Sequence, residues 1–295
     1  MRIVNHDGRL TLLDPAPDDH GGPDDLRGVD VGRASGGRFA ADPQAVYDRW
    51  AEFRDWAATA SLADAAPLDP DRLGALTPRP PQVFAIGLNY RDHAAESGMG
   101  VPTEPVVFTK YASSFTGPRG AIRLSPGNVD WEVELVAVIG EGGHDIPAAR
   151  GWEHVAGLTI GQDLSDRTTQ FAAPPAQFGL GKSYPGFSPV GPALVTVDEL
   201  RAAGHDPDDL ELGCLVNGES VQKGRSGAMV FGVGEIVARL SAIVTLLPGD
   251  VVFTGTPAGI GAGMSPPRFL GDGDELVSWC SGLGQMQHRF VGGAS

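Results

Sequence analysis

The stretch Val129-Asp130-Trp131-Glu132-Val133-Glu134-Leu135-Val136-Ala137-Val138-Ile139-Gly140, VDWEVELVAVIG, reads as a β-strand with three carboxylates in its first half. Residues i and i+2 of a strand share a face. Trp131, Val133, Leu135, Ala137 and Ile139 therefore make one wholly apolar face, and Asp130, Glu132, Glu134, Val136 and Val138 make the other. That second face turns apolar directly after Glu134, so burial is expected to reach the carboxylates. Two neighbouring buried carboxylates repel each other and lose hydration, at a cost of several kcal/mol in order of magnitude, unless a cation joins them. Carboxylate oxygens suit a hard divalent ion such as Mg2+ or Mn2+. The competing reading places Glu132 and Glu134 on the wet face of an edge strand, where glutamate is usually found.

Around this stretch the chain of 295 residues has room for one large domain, or one domain with a smaller appendage. It is 41% hydrophobic and 20% charged, enough to bury a core, and its 42 glycines and 24 prolines favour strands and turns over long helices. The net charge of −15 repels phosphate backbones and anionic bilayers, which excludes nucleic acid as an expected partner. Cys214 and Cys280 form no C-x-x-C pair, so neither a disulfide framework nor a zinc–thiolate site is expected. With no apolar run of membrane-spanning length and no signal-peptide pattern in MRIVNHDGRL, the expectation is a soluble cytoplasmic protein.

Residues 1–80 read as a small N-terminal α+β segment with a Pro-rich linker, and 81–295 as the main body. Asp7-Gly8 signals a type I′ hairpin turn in MRIVNHDGRLTLLD, and PDDHGGPDD (17–25) is a polar loop. Val46, Trp50, Phe53 and Trp56 recur at helical spacing within 43–60, behind Pro43. PLDPDRLGALTPRPPQ (67–82) suits an extended linker. Short strands are expected at 83–87, 105–110, 131–139, 155–162, 190–196, 211–217, 250–254 and 275–280. Two helices are expected among them: Asn89 to Ser97, with Asn89 as N-cap and Gly98 as stop, and 234–247, with Ile236, Val237, Leu240, Ile243, Val244 and Leu247 on one stripe. The result is an α+β, mostly β fold, a sandwich or barrel-like roll.

A third acid, Asp163, ends the strand VAGLTIGQ, with Ser165, Asp166 and Arg167 behind it. An acid there is often only a turn former, and it becomes a ligand if its strand lies beside the first. Three carboxylates leave positions open for water and a chelating substrate.

The order of E-x-E, Asp163, Arg167 and Gln170, Gly181-Lys182-Ser183 and TGTPAGIG, with GLNYRDHAAESG upstream and VNGESVQKG between, resembles the fumarylacetoacetate hydrolase family from about residue 82 to 290. The resemblance implies that family's mixed β-sandwich or roll, a homodimer, and Glu132, Glu134 and Asp163 as ligands of Mg2+ or Mn2+, with Ca2+ able to substitute in vitro. It also implies a catalytic pair, His93 and Glu96, which share a helical face at i and i+3. Imidazole is the side chain that changes charge near neutrality. His6, His20, His144, His154, His205 and His288 lie outside any such motif. Lys182 is implied as the stabiliser of a developing oxyanion. Arg167 and Gln170 would hold substrate oxygens, Thr256 a substrate carboxylate, and Lys110 is a further pocket residue. FTGTPAGIGAG is no dinucleotide loop, because Met264-Ser265-Pro266-Pro267 cannot open the required helix.

Three stretches depart from the family pattern: Gln162 where Asn is usual, Asp166 and Thr168 around Arg167, and Tyr184-Pro185-Gly186 after Lys182-Ser183. The expected activity is metal-dependent hydrolysis of a C–C bond in a small anionic 2-oxo or 1,3-dicarbonyl acid. The same site would also suit decarboxylation of oxaloacetate or isomerisation of an unsaturated hydroxy-dioate. The stretch SPPRFLGDGDEL resembles members acting on diketo sugar acids. A non-catalytic β module with a structural Ca2+ is the rival of another class.

Overall fold

The computed structural model of the chain describes residues 1–14, 26–96, 98 and 100–292; the polar 17–25 stretch, His20 and Ser97 lie outside it. The carboxylate strand lies inside a large mixed sheet. Val133–Ile139 pairs antiparallel with Val155–Gln162 on one side and with Val251–Phe253 on the other. Val155–Gln162 then pairs with Ser188–Val195, which pairs with Arg2–His6 of the N-terminal hairpin. On the far side Val251–Phe253 runs parallel to Val83–Gly87, and Val106–Phe108 forms the edge. A five-stranded sheet, containing Glu211–Val216, Glu219–Arg225, Glu275–Cys280, Gly284–Val291 and Arg119–Arg123, packs on this layer.

Both faces of the carboxylate strand are buried, and the wet-face alternative fails. Val133, Leu135, Ala137 and Ile139 pack in a core with Leu212, Cys214, Leu276 and Phe290 of the five-stranded sheet. Val136 and Val138 enter a second core with Phe253, Val190 and the N-terminal Tyr47, Trp50 and Phe53. The molecule is thus α+β and mostly β, a sheet sandwich with a small helix on its outer side.

The N-terminal hairpin forms as its turn signal requires: Asp7 and Gly8 take φ of 55° and 74°, and His6 faces Arg9. The 67–82 stretch is interrupted by a 3-10 turn, Pro70–Arg72, capped by Asp69, and Leu73–Gly74 pairs with the hairpin strand Arg2–His6. Several boundaries differ from expectation. The 43–60 helix is only a 3-10 turn, Tyr47–Arg49, running into Trp50–Ala57, because the Asp42 carboxylate accepts the Gln44 N–H and holds the preceding chain in a turn. The 234–247 helix is Val233–Ser241. Ser241 Oγ accepts the Ile146 N–H, and the β-branched run Ile243-Val244-Thr245 disfavours continuation. Ile243 is therefore 82% exposed and Leu247 40% exposed, off the buried stripe to which they were assigned, while Leu246 is buried in their place. Asn89 does not cap a helix. Its amide donates to the Phe231 and Thr254 carbonyls and its oxygen accepts the Phe231 N–H, pinning the turn before Arg91–Glu96. Arg27–Asp30, Arg119–Arg123 and Gly284–Val291 are among the strands absent from the sequence reading, because polar residues interrupt their hydrophobic pattern.

Candidate active site

Strand register brings the acids together. Val133 faces Gln162 and Glu134 faces Gly161, so one step further along the ladder sets Asp163 opposite Glu132, and the Asp163 N–H donates to the Glu132 carbonyl at 2.9 Å. Residues opposite each other in an antiparallel pair project to the same face, which is also the face of Glu134. One ligand atom from each of Glu132, Glu134 and Asp163 lies within 4.8 Å of the others, and all three side chains are buried.

The regular ladder of this strand begins at Val133, and buried side chains take over its first backbone donors. Gln162 Oε1 accepts the Glu132 N–H at 2.9 Å, while its Nε2 donates to Ser278 Oγ in the five-stranded sheet. Gln222 Oε1 accepts the Val133 N–H at 2.9 Å, and its Nε2 donates to Thr256 Oγ1 and to the Pro257 carbonyl. The departure at Gln162 thus ties the Glu132 backbone to the second sheet. Gly255 N–H donates to Glu134 at 2.7 Å.

Cations surround the triad. Lys182, at the C-cap of Phe178–Gly181, donates from Nζ to Glu132 at 2.7 Å and to Asp163 at 2.5 Å. Arg167 opens Arg167–Gln170, capped by Asp166, whose Oδ1 accepts the Thr169 N–H. Its guanidinium reaches Glu132 at 2.6 Å, Asp130 at 2.8 Å and the Gln170 Oε1 at 2.9 Å. Burial drives Glu132 upward, but Lys182 and Arg167 outweigh it and hold the carboxyl well below its ordinary range. Burial raises Glu134, and the Asp163 and Glu132 charges push the same way. Burial lowers Lys182, yet Asp163 and Glu132 carry it above its usual value. A divalent ion would relieve the same repulsion, and three hard oxygen donors suit Mg2+ or Mn2+. A structural Ca2+ asks for about 6–8 oxygens, more than this triad offers, and the triad opens on a cavity.

That cavity, of about 300 Å³, is lined by all three acids together with His93, Glu96, Arg167, Gln170, Lys182 and Thr256. His93 Nδ1 lies 3.4 Å from Glu96 Oε2, as i and i+3 spacing on Arg91–Glu96 requires, and both Glu96 oxygens accept the Gly259 N–H, at 3.0 and 3.2 Å. Between strand and helix, Leu88 lines the same cavity with φ of 58°, a left-handed conformation held by the Asn89 bonds. Thr256 spends its hydroxyl proton on the Val133 carbonyl. Lys110 does not line the cavity. It is buried behind the triad, its Nζ bonded to Asp163 Oδ1, to the Lys182 carbonyl at 2.5 Å and to the Phe187 carbonyl at 3.1 Å. Asp130, third of the opening acids, is no ligand. It pairs with Arg167 and accepts the Gly261 and Ala262 N–H groups at 2.7 and 3.0 Å, fastening the glycine-rich loop. Its place in the same alternation as the glutamates was the only sequence signal for it.

Residues 82–291 match the family model for the C-terminal domain of fumarylacetoacetate (FAA) hydrolase. The human mitochondrial oxaloacetate tautomerase FAHD2A is 44% identical over 215 residues, 72% of this chain and 67% of its own. A solved structure of a candidate HpcE protein from Mycobacterium smegmatis is 52% identical over the whole of both chains, with a TM-score of 0.90. Fumarylpyruvate hydrolase from Pseudomonas aeruginosa, solved with Mn2+ and pyruvate, is 32% identical, covering 71% of this chain and 89% of that one, with a TM-score of 0.63. The chain belongs to the fumarylacetoacetate hydrolase family.

Proposed function

We propose that this protein is a divalent-metal-dependent enzyme that cleaves a C–C bond in a small 2,4-dioxo acid of the acylpyruvate type by adding water. The observation that carries the reading is one cavity lined by both the Glu132, Glu134 and Asp163 cluster and the His93–Glu96 pair. Bound to those carboxylates, Mg2+ or Mn2+ would act as a Lewis acid toward the oxo-acid oxygens; the relative solved with Mn2+ and pyruvate supports that choice. His93, oriented by Glu96, takes a proton from water, whose oxygen bonds to the distal carbonyl carbon. The Lys182 ammonium lies beside Glu132 and Asp163, where it can offset developing negative charge. The C–C bond breaks with its electron pair left on the pyruvate methylene carbon, which the imidazolium proton then converts to a methyl group. Arg167 and Gln170 bind head-group oxygens.

Steady-state hydrolysis of acylpyruvates, with and without EDTA and with His93→Ala, tests this. The expected products are a carboxylic acid and pyruvate, formed only with metal. Turnover unaffected by metal removal would defeat the proposal.

A second reading, tautomerisation or decarboxylation of oxaloacetate, is supported by the 44% identity to FAHD2A. Isomerisation of an unsaturated hydroxy-dioate would use the same enolate chemistry, and product identification separates all of these. Homodimerisation belongs to the same proposal: Val106, Val107, Phe171 and Leu180 are exposed apolar side chains that a second copy could cover. No described helix is long and apolar enough to cross a membrane, which is compatible with the proposed cytoplasmic location.

A further inference from the structure

We infer that the substrate of this site has one acid head and an apolar tail, so that its distal group is alkyl or aryl and not a second carboxylate. The inference rests on the oxo-acid reading above and narrows it. Among the described lining residues the only lysine and arginine are Lys182 and Arg167. Both are committed to the metal-binding acids, with Lys182 at 2.7 Å and Arg167 at 2.6 Å from Glu132.

Much of the cavity wall is apolar. The Phe108 ring centroid lies 5.1 Å from Lys182 Nζ, and the Phe178 ring centroid lies 5.5 Å from that of Phe108. Ile86, Leu88, Val106 and Ile260 complete this wall. The remaining acid in the lining, Glu96, is fixed by the Gly259 N–H and lies against Gly263, whose missing side chain would meet it at 2.6 Å. A distal carboxylate would leave water for a wall with no further lysine or arginine to receive it, and would share the cavity with the Glu96 carboxylate. Desolvation and like-charge repulsion both oppose that. A distal hydrocarbon gains transfer free energy instead, about fourfold in affinity for each methylene buried.

The test is calorimetric titration of the Mg2+-loaded protein with pyruvate, 2-oxohexanoate, 2-oxooctanoate and 2-oxoadipate. The expected result is that pyruvate binds, affinity climbs by up to about fourfold per added methylene, and 2-oxoadipate binds more weakly than the six-carbon 2-oxohexanoate. In Phe178→Arg, and independently in Val106→Lys, the order of the two six-carbon acids should reverse; thermal melting identifies whichever variant is folded. Pyruvate binding with no gain along the chain, or 2-oxoadipate binding tighter than 2-oxohexanoate in the parent protein, overturns the inference and leaves the oxo-acid reading standing. Failure of pyruvate to bind the metal-loaded protein brings down that reading, and the inference with it.

Discussion

Replacing Lys110 by Met removes a buried ammonium while keeping nearly the volume of the side chain. Lys110 is wholly enclosed, donates to Asp163 and to the Lys182 and Phe187 carbonyls, and rests 5.6 Å from the Phe253 ring. Burial lowers its pKa below the ordinary lysine value even though Asp163 opposes the shift, so its charge persists because Asp163 is there. Asp163 keeps the Lys182 ammonium at 2.5 Å, so the deletion removes one of its two cations and costs less than the about 3–5 kcal/mol of a fully stranded buried charge. The two carbonyls that lose a donor fall within the same sum. A divalent ion next to Asp163 would supply part of the missing positive charge, so metal should stabilise Lys110→Met more than it stabilises the parent. Urea unfolding followed by tryptophan fluorescence, in EDTA and in excess Mg2+, measures both quantities. The expected result is a loss of about 1.5–3 kcal/mol in EDTA with unchanged m, the worth of a hydrogen bond to a charged group, part of it recovered in Mg2+. A loss below about 1 kcal/mol, the net worth of one ordinary hydrogen bond, would refute the claim that this ammonium holds Asp163.

Gly161 faces Glu134 across the ladder, and a Cβ there would meet Phe253 and Val136 at 2.6 Å each. Gly161→Ala should cost about 1–3 kcal/mol in urea unfolding and weaken metal binding through Asp163, two residues on; an unchanged midpoint would contradict this packing. His288 donates from Nε2 to the Gly117 carbonyl and is buried, which pushes its pKa down from 6.5 to about 4. The unfolded chain therefore takes the proton first. The stability His288 confers is complete above pH 6.5 and drains away toward pH 4, about 3 kcal/mol in total. His288→Asn should flatten the loss of stability between pH 7 and pH 4.5; equal slopes in the two proteins would show that His288 does not carry it.

The sequence was most readable where one periodicity served one purpose. The alternation of 129–140 placed Glu132 and Glu134 on one face, and the Asp7-Gly8 turn gave the hairpin register, since both are local consequences of backbone geometry. What could not be read was set by contacts across the fold. Lys110 ends an apparently ordinary strand, and nothing nearby signals that Asp163, 53 residues later, will meet its ammonium. Gln162 looked like a departure in a motif, and its task is visible only once Ser278 of the other sheet lies within reach. Ile243 and Leu247 fit a helical stripe, but the helix ends at Ser241, where a side chain–backbone bond to Ile146 intervenes.

The central claim is that Glu132, Glu134 and Asp163 act together as a divalent-cation site. Titration of the apo protein with Mn2+, followed by the loss of the free-ion electron paramagnetic resonance signal, measures this directly. The account predicts one Mn2+ per chain, with affinity falling by more than about 100-fold in Glu134→Gln and in Asp163→Asn, beyond what loss of an outer-shell partner produces. No saturable uptake by the parent protein, or equal affinity in the folded variants, would contradict it.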